Sequence, residues 1–296
     1  MNMTHDPIAP FRGRLLGLAY RMLGSMNDAE DVLQDAYVRL HGVADVTNTE
    51  ALLVTIVTRL CLDQRKTAAV RRETYIGPWL PEPVFDTAAL SPHTALELAD
   101  DLSLAMMLVL ERLSAPERAA FLLHDVFDMG FAEIAPILER SEAACRQLAS
   151  RARKIVREEH RVATPLERQG RLLAAFGDAL ASGDVAKLAA LLREDAVLLS
   201  DGGGIKPAAL NPIFGAERIA RYLLGAMRKF AGREPTLQSD ARMVNGALGV
   251  VGSAGGSVAE VLSIVPDGDR IVAIYVIRNP RKLAHLCPVT TELGLQ

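Results

Sequence analysis

The sequence predicts two all-α modules followed by an α+β domain, and three observations carry that prediction. Apolar residues recur at helical spacing from Phe11 to Arg72 and again from Ala95 to about Glu159; prolines at 78, 81, 83 and 92 interrupt the pattern between them. After Thr164-Pro165 helical segments give way to strands separated by Asn245-Gly246, Gly255-Gly256 and Asp267-Gly268. At 296 residues, half of them hydrophobic, the chain exceeds one compact core. The expected boundaries are 8–75 for the first helical module, 76–95 for a linker, 96–162 for the second module and 165–288 for the α+β domain.

In the first module, Asn27 and Glu30 have the spacing of a capping box, and Ala29, Val32, Leu33, Ala36, Tyr37 and Leu40 then form an inward face. Asp28, Asp31, Gln34, Asp35 and Val38 fall on the opposite side, so the helix offers an acidic stripe to something outside its bundle. Thr47 and Glu50 start the next helix in the same way. Its apolar residues Leu52, Leu53, Ile56, Val57 and Leu60 lead into a basic stretch of Arg59, Arg65, Lys66, Arg71 and Arg72.

The prolines that follow favour an extended connector, because each one removes an N–H donor and restrains its predecessor. That connector contains the chain's one tryptophan, in Trp79-Leu80-Pro81-Glu82-Pro83. Helix resumes over Ala95–Arg112, and Ser114 to Glu117 is a further capping box, with Pro116 tolerated in the first turn. Phe131–Leu138, a turn at Glu139–Ser141 and a longer helix from Glu142 to Arg157 make a helix-turn-helix with Ser141 as its N-cap. Ala144, Leu148, Ala152 and Ile155 are expected to dock inward. Arg146, Gln147, Ser150, Arg153, Lys154 and Arg157 would then face outward, side chains suited to base edges and phosphates in a major groove.

The α+β domain should begin with two helices, Leu166–Ala181 and Val185–Arg193. A strand, a glycine-rich loop and a third helix, Ala216–Phe230, follow. Asn245-Gly246 is a strong hairpin signal, and the later turns extend it to a four-stranded antiparallel meander ending near Arg278.

Composition bounds the function. The net charge of −3 is low for a free-standing nucleic-acid binder, but the basic residues are concentrated in two separated patches, which suit two contacts with one polyanion. Cys61, Cys145 and Cys287 are odd in number and far apart, and suggest neither a disulfide framework nor a metal site. No apolar run is long enough to cross a bilayer, and Met1 to Pro10 lack a signal-peptide pattern, so a cytoplasmic protein is expected, with no membrane partner.

The stretch Ala29-Glu30-Asp31-Val32-Leu33-Gln34-Asp35-Ala36-Tyr37-Val38-Arg39-Leu40 resembles the polymerase-binding helix in region 2 of bacterial sigma factors. Thr58 to Lys66 resembles the promoter-reading helix that follows it. Leu113-Ser114-Ala115-Pro116-Glu117-Arg118 and the helix-turn-helix are similar to region 4, and the absence of a region 3 between them is the pattern of the extracytoplasmic-function group. The resemblance implies a factor that binds core RNA polymerase through the beta-prime clamp helices and the beta flap, and that directs it to promoter DNA. Asp28, Asp31, Gln34 and Asp35 would meet the polymerase; Arg59, Arg65, Lys66, Arg71 and Arg72 would lie at the −10 element; the helix-turn-helix would read the −35 element, with Arg146 and Gln147 at base edges. No catalytic residue, metal or cofactor is implied.

The Trp79–Pro83 pentapeptide resembles the mark of a sigma subgroup with a SnoaL-like C-terminal extension, a cone of helices wrapped by a curved sheet. That subgroup has an Asp-Gly-Gly-Gly-Lys loop and an Asn-Pro-Asp-Lys tail. Here they read Asp201-Gly202-Gly203-Gly204-Ile205 and Asn279-Pro280-Arg281-Lys282, so Ile205 replaces the loop lysine and Arg281 the tail aspartate. The resemblance implies that loop and tail dock the extension on region 2 and on the linker, regulating the factor in cis. A small-molecule ligand in the C-terminal domain is a further expectation. Two rivals stand beside this reading. One is an enzyme or sensor domain fused to a DNA-binding regulator, with Asp201 as the acid or base and His285 a poorer candidate. The other is an ordinary repressor or activator that binds DNA unaided.

Overall fold

A computed structural model describes residues 8–41, 43, 48–85, 87, 90, 102–159, 164–230 and 237–286. They form two compact units. One joins the residues before Tyr75 to those from Thr87 to Glu159; the other joins Tyr75–Phe85 to the residues from Thr164 onward.

The first unit opens with α1 (Arg12–Leu23), α2 (Met26–Leu40) and α3 (Thr49–Glu73). Gly24, at φ 73°, ends α1 in the left-handed conformation that glycine adopts without a Cβ penalty. Ser25 then caps α2 by accepting from the Asp28 amide at 3.1 Å. The cap therefore lies two residues ahead of the expected Asn27, and Glu30 instead takes Arg12 at 2.5 Å. Val32, Leu33, Ala36 and Leu40 are buried as the periodicity requires, but Tyr37 is exposed and packs on His41. Asn48, in place of Thr47, caps α3 through the Ala51 amide; Thr47 lies outside the described residues.

The same unit continues with α4 (Leu104–Glu111), α5 (Ala115–Phe121), α6 (Phe131–Leu138) and α7 (Glu142–Glu159). The Ser114–Glu117 capping box is present. After α5 the chain widens into a π-helical turn, Leu122–Val126, which no periodicity argument foresees. Glu139, at φ 54°, closes α6, and Ser141 caps α7 through the Ala144 amide at 3.2 Å. The buried face of α7 is Cys145, Leu148, Ala149, Ala152 and Val156, about one residue out of phase with the expected Ala144 and Ile155.

The second unit comprises the Tyr75–Phe85 strap, α8 (Leu166–Ser182), α9 (Val185–Ala190), β1 (Leu192–Asp201), β2 (Ile213–Phe214), α10 (Ala216–Phe230), β3 (Gln238–Val244), β4 (Ala247–Ala254), β5 (Ser257–Asp267), β6 (Arg270–Ile277) and α11 (Pro280–Leu283). Its sheet runs β2-β1-β6-β5-β4-β3. The antiparallel meander β3 to β6 is as expected. The short β2 is an addition, and β1 lies parallel to β6. Helix α9 stops at Ala190 because Leu192 already pairs with Ile271. Leu172, Phe176, Leu188, Leu198, Ile219, Leu224, Ile264 and Ile274 fill the space between helices and sheet.

That filled core yields a prediction. Removing most of the Phe176 side chain leaves a cavity and should cost about 3–5 kcal/mol. Calorimetry of Phe176→Ala should show a lowered transition for the C-terminal unit, with the helical unit unmoved.

Candidate functional site

Three surfaces expected to carry function are each built by local structure. On α2, Asp31, Gln34 and Asp35 are exposed along one side. Asp28, in the first turn, is partly drawn away, accepting from the Gln64 side chain at 3.2 Å. The acidic stripe is therefore an open face of three residues, with Asp28 at its buried edge.

The basic stretch on α3 is less open. Lys66 is exposed and paired with Asp63 at 2.8 Å, a hydrogen bond that raises its pKa. Arg65 is mostly buried, donating to the Met22 carbonyl at 2.9 Å and lying 3.5 Å from Glu111. Arg59 donates to the Pro136 carbonyl at 2.8 Å. The side chains of Arg71 and Arg72 lie outside the described residues. The expectation that all five form one exposed patch is thus corrected for Arg65, whose guanidinium is taken up by acceptors inside its own unit.

On α7, Arg146, Gln147, Ser150, Lys154 and Arg157 are exposed as expected. Arg146 is steadied by Glu142 at 2.8 Å and lies over the Phe131 ring at 5.4 Å. Arg153 is the exception. Its Nε donates to Asp125 at 2.6 Å, so it braces α7 against the π-helical turn. The one-residue phase error explains this, because turning the helix moves Arg153 inward and brings Arg151 out. Arg151 is exposed and 3.3 Å from Glu117.

In the second unit the glycine loop, the tail and the strap converge. Asp201 ends β1 and is completely buried, which an unpaired carboxylate could not afford. Lys282, on α11, faces it at 2.7 Å and also donates to the Leu80 carbonyl. Asp201 accepts three further hydrogen bonds: from the Tyr75 hydroxyl at 2.5 Å, the Leu80 amide at 2.9 Å and the Gly203 amide at 3.1 Å. The Lys282 ammonium sits 4.1 Å from the centre of the Trp79 ring, close enough for a cation–π contact. Asn279 donates to the Tyr75 hydroxyl at 2.8 Å and caps α11 through the Arg281 amide.

Positions 205 and 281 are those at which this sequence departs from the subgroup's loop lysine and tail aspartate. The ion pair uses neither; its members are Asp201 and Lys282, both present. Gly203 has to be glycine on two counts, since φ is +60° and a Cβ there would lie 2.3 Å from Asn279. A Cβ on Gly202 would strike the Lys206 carbonyl at 2.1 Å. Leu80, Pro81, Glu82 and Pro83 are buried. Pro280 stands at the first position of α11, where its missing N–H has no intrahelical partner to lose.

Two contacts on the strap escaped sequence reasoning. Asn245, read only as a turn residue, exchanges hydrogen bonds with Val84: its amide donates to the Val84 carbonyl at 2.7 Å and its side chain accepts from the Val84 amide at 2.9 Å. His285 Nε2 donates to the Pro83 carbonyl at 2.9 Å. A buried asparagine at an Asn-Gly turn was the available signal. Beside the strap, Ile76, Gly77, Ser200 and the loop from Gly202 to Leu210 line a pocket of about 370 Å³. Among the described residues no group of His, Cys, Asp and Glu is arranged to hold a metal ion, and no helix is long and apolar enough to cross a membrane.

Comparison with known proteins agrees with this layout. The Sigma-70 region 2 family matches residues 8–71, and the Sigma-70 region 4 family matches residues 103–156. The ECF RNA polymerase sigma factor SigJ of Mycobacterium tuberculosis is 38% identical over 288 residues, which is 92% of this chain and 90% of that one. The probable ECF RNA polymerase sigma factor SigI of the same species is 31% identical over 299 residues, 98% of each chain. The crystal structure of M. tuberculosis SigJ superposes with a TM-score of 0.74 at 33% identity, covering 94% of this chain and 98% of the other.

The strap network has a pH signature. Burial, and then the hydrogen bond to Asp201, raise the Tyr75 pKa above the ordinary value of 10.0. A raised pKa favours the protonated, docked form, so docking is at full strength below about pH 10 and weakens as pH rises further. Hydrogen exchange of the Leu80 and Val84 amides should accelerate above pH 10 beyond the chemical rate. Tyr75→Phe should remove that extra alkaline acceleration.

Proposed function

The chain belongs to the extracytoplasmic-function sigma factors of RNA polymerase, and on that premise we propose how its surfaces divide the work. A sigma factor directs core polymerase to specific promoters; phosphodiester chemistry belongs to the polymerase, so this chain contributes binding and positioning and is not an enzyme. It works in the cytoplasm, where the polymerase is. Asp31, Gln34 and Asp35, with Asp28 at their edge, meet the beta-prime clamp helices, and the second module meets the beta flap. Arg59, Lys66, Arg71 and Arg72 serve the −10 element, and Arg65 braces their helix from inside its own unit. Arg146, Gln147, Ser150, Lys154 and Arg157 serve the −35 element, with Arg146 and Gln147 nearest the base edges and the lysine and remaining arginine on phosphate. Arg153 supports that surface from behind.

The C-terminal domain, of SnoaL-like type, regulates these modules in cis by holding the linker between them. The observation that carries this reading is the buried Asp201–Lys282 pair closed over Leu80. A surface ion pair would say little, whereas a buried one loses about 3–5 kcal/mol when a single partner is removed. The same contacts argue against the enzyme reading. Asp201 already has an ammonium partner and three donors, which leaves it poorly placed to move a substrate proton. The pocket beside the strap is where a small molecule would act on the linker.

Two expected outcomes test the division of labour. Asp31→Lys with Asp35→Lys should weaken core-polymerase binding at least tenfold in a pull-down or titration; retained binding would remove the assignment of the acidic face. A chain ended at Thr164, or one lacking only the tail from Asn279, should show altered promoter-directed run-off transcription. Unchanged activity in both would remove regulation in cis.

A further inference from the structure

The hairpin between β3 and β4 turns on Asn245-Gly246, and the Val84 end of the strap lies against that turn. Asn245 stands at φ 53° and Gly246 at φ 78°, the left-handed pair that a two-residue hairpin loop requires. Val244 and Ala247 pair across the base of the loop. Turn residues usually face water, yet Asn245 is only 1% exposed. Its amide donates to the Val84 carbonyl at 2.7 Å, and its side-chain oxygen accepts from the Val84 amide at 2.9 Å. Gly246 beside it is open, with nothing within 4 Å of the place a Cβ would take.

Asn-Gly is also a reactive dipeptide. The backbone nitrogen that follows an asparagine can attack the side-chain carbonyl carbon, and glycine leaves that nitrogen unhindered. In this chain the Gly246 nitrogen would lose its proton and bond to Asn245 Cγ, while the Cγ–Nδ2 bond breaks and ammonia leaves. The product is a five-membered succinimide, which water opens to aspartate or to isoaspartate, whose backbone runs through the side-chain carbon. The attack requires Cγ to swing over the Gly246 nitrogen. In the docked state the side-chain oxygen is tied to the Val84 amide and the loop is fixed by its paired strands, so Cγ is held in place. Release of the strap removes the tie and admits water.

We propose that Asn245 is a deamidation site guarded by the strap, with water as co-reactant, and that its modification makes release of the strap lasting. Neither product re-forms the contact. Aspartate puts a carboxylate where a neutral amide was buried, and an ionised group is far costlier to bury. Isoaspartate adds a methylene to the backbone of a two-residue loop, which moves the amide at 245 out of line with the Val84 carbonyl. The ion pair of Asp201 and Lys282 can open and close repeatedly, whereas the attachment at Asn245 is lost once. The consequence for promoter use rests on regulation in cis through the linker; the chemistry does not.

Peptide mass spectrometry of the full-length chain, aged at neutral pH, reads the rate on the tryptic fragment Met243–Arg270. Val84→Pro, which deletes the strap's donor, should deamidate at least tenfold faster than the parent while the β5 and β6 amides exchange at the parent's rate. Equal deamidation overturns the proposal. If Val84→Pro does not fold, the parent supplies the test: across low urea concentrations its deamidation should quicken in step with exchange of the Val84 amide, and a rate indifferent to that exchange overturns the proposal. Asn245→Asp, one of the two products, should exchange its Leu80 and Val84 amides at least tenfold faster than the parent; unchanged exchange overturns the lasting release. The reading of regulation in cis fails separately, if both truncated chains transcribe as the parent does while these rates behave as stated.

Discussion

The buried contact between Asp201 and Lys282 is the constraint on which the arrangement of the C-terminal unit depends. A carboxylate and an ammonium withdrawn from water are tolerable only together, and only with their remaining hydrogen-bonding capacity satisfied. The strap supplies what is missing: the Tyr75 hydroxyl and Leu80 amide for the carboxylate, the Leu80 carbonyl and Trp79 ring for the ammonium. Sheet, tail and linker are thereby fastened at one point. Asn245 and His285 continue the attachment to Pro83 and Val84, so the strap is held from Tyr75 to Val84.

A second constraint operates in the helical unit by the same logic. Arg118 is completely buried and has Glu111 as its counter-ion; Arg65 shares that carboxylate from the other module. Charged groups that would cost several kilocalories if stranded alone become glue between modules when they share a partner. In both units a charge held away from water is matched by a partner from another part of the chain.

Much of this was legible in sequence because the signals were local. The capping box at Ser114, the α6-turn-α7 boundaries, the Asn-Gly hairpin and the meander follow from side chains a few residues apart, and they are present where expected. What failed was phase. A helical face inferred from Ala144 and Ile155 instead of Cys145 and Val156 turns α7 enough to send Arg153 to Asp125 and bring Arg151 outward. Small residues such as alanine carry little directional signal, so the inner face of an alanine-rich helix is poorly determined by its own sequence. Partners far apart in the chain were also hidden: nothing near Asp201 announces Lys282, and nothing near Asn245 announces Val84. Motif likeness pointed to the correct loop and tail and to Asp201 within the loop, but not to Lys282 as its partner.

A double-mutant cycle on Asp201 and Lys282, read out as run-off transcription by reconstituted holoenzyme, tests the central claim most directly. If the pair holds the linker and the linker governs promoter use, Asp201→Asn and Lys282→Met should each shift transcription, and the double variant should shift it by much less than the sum, because both break the same contact and only a single variant strands a buried charge. Independent, additive effects, or transcription indifferent to both, would contradict the account.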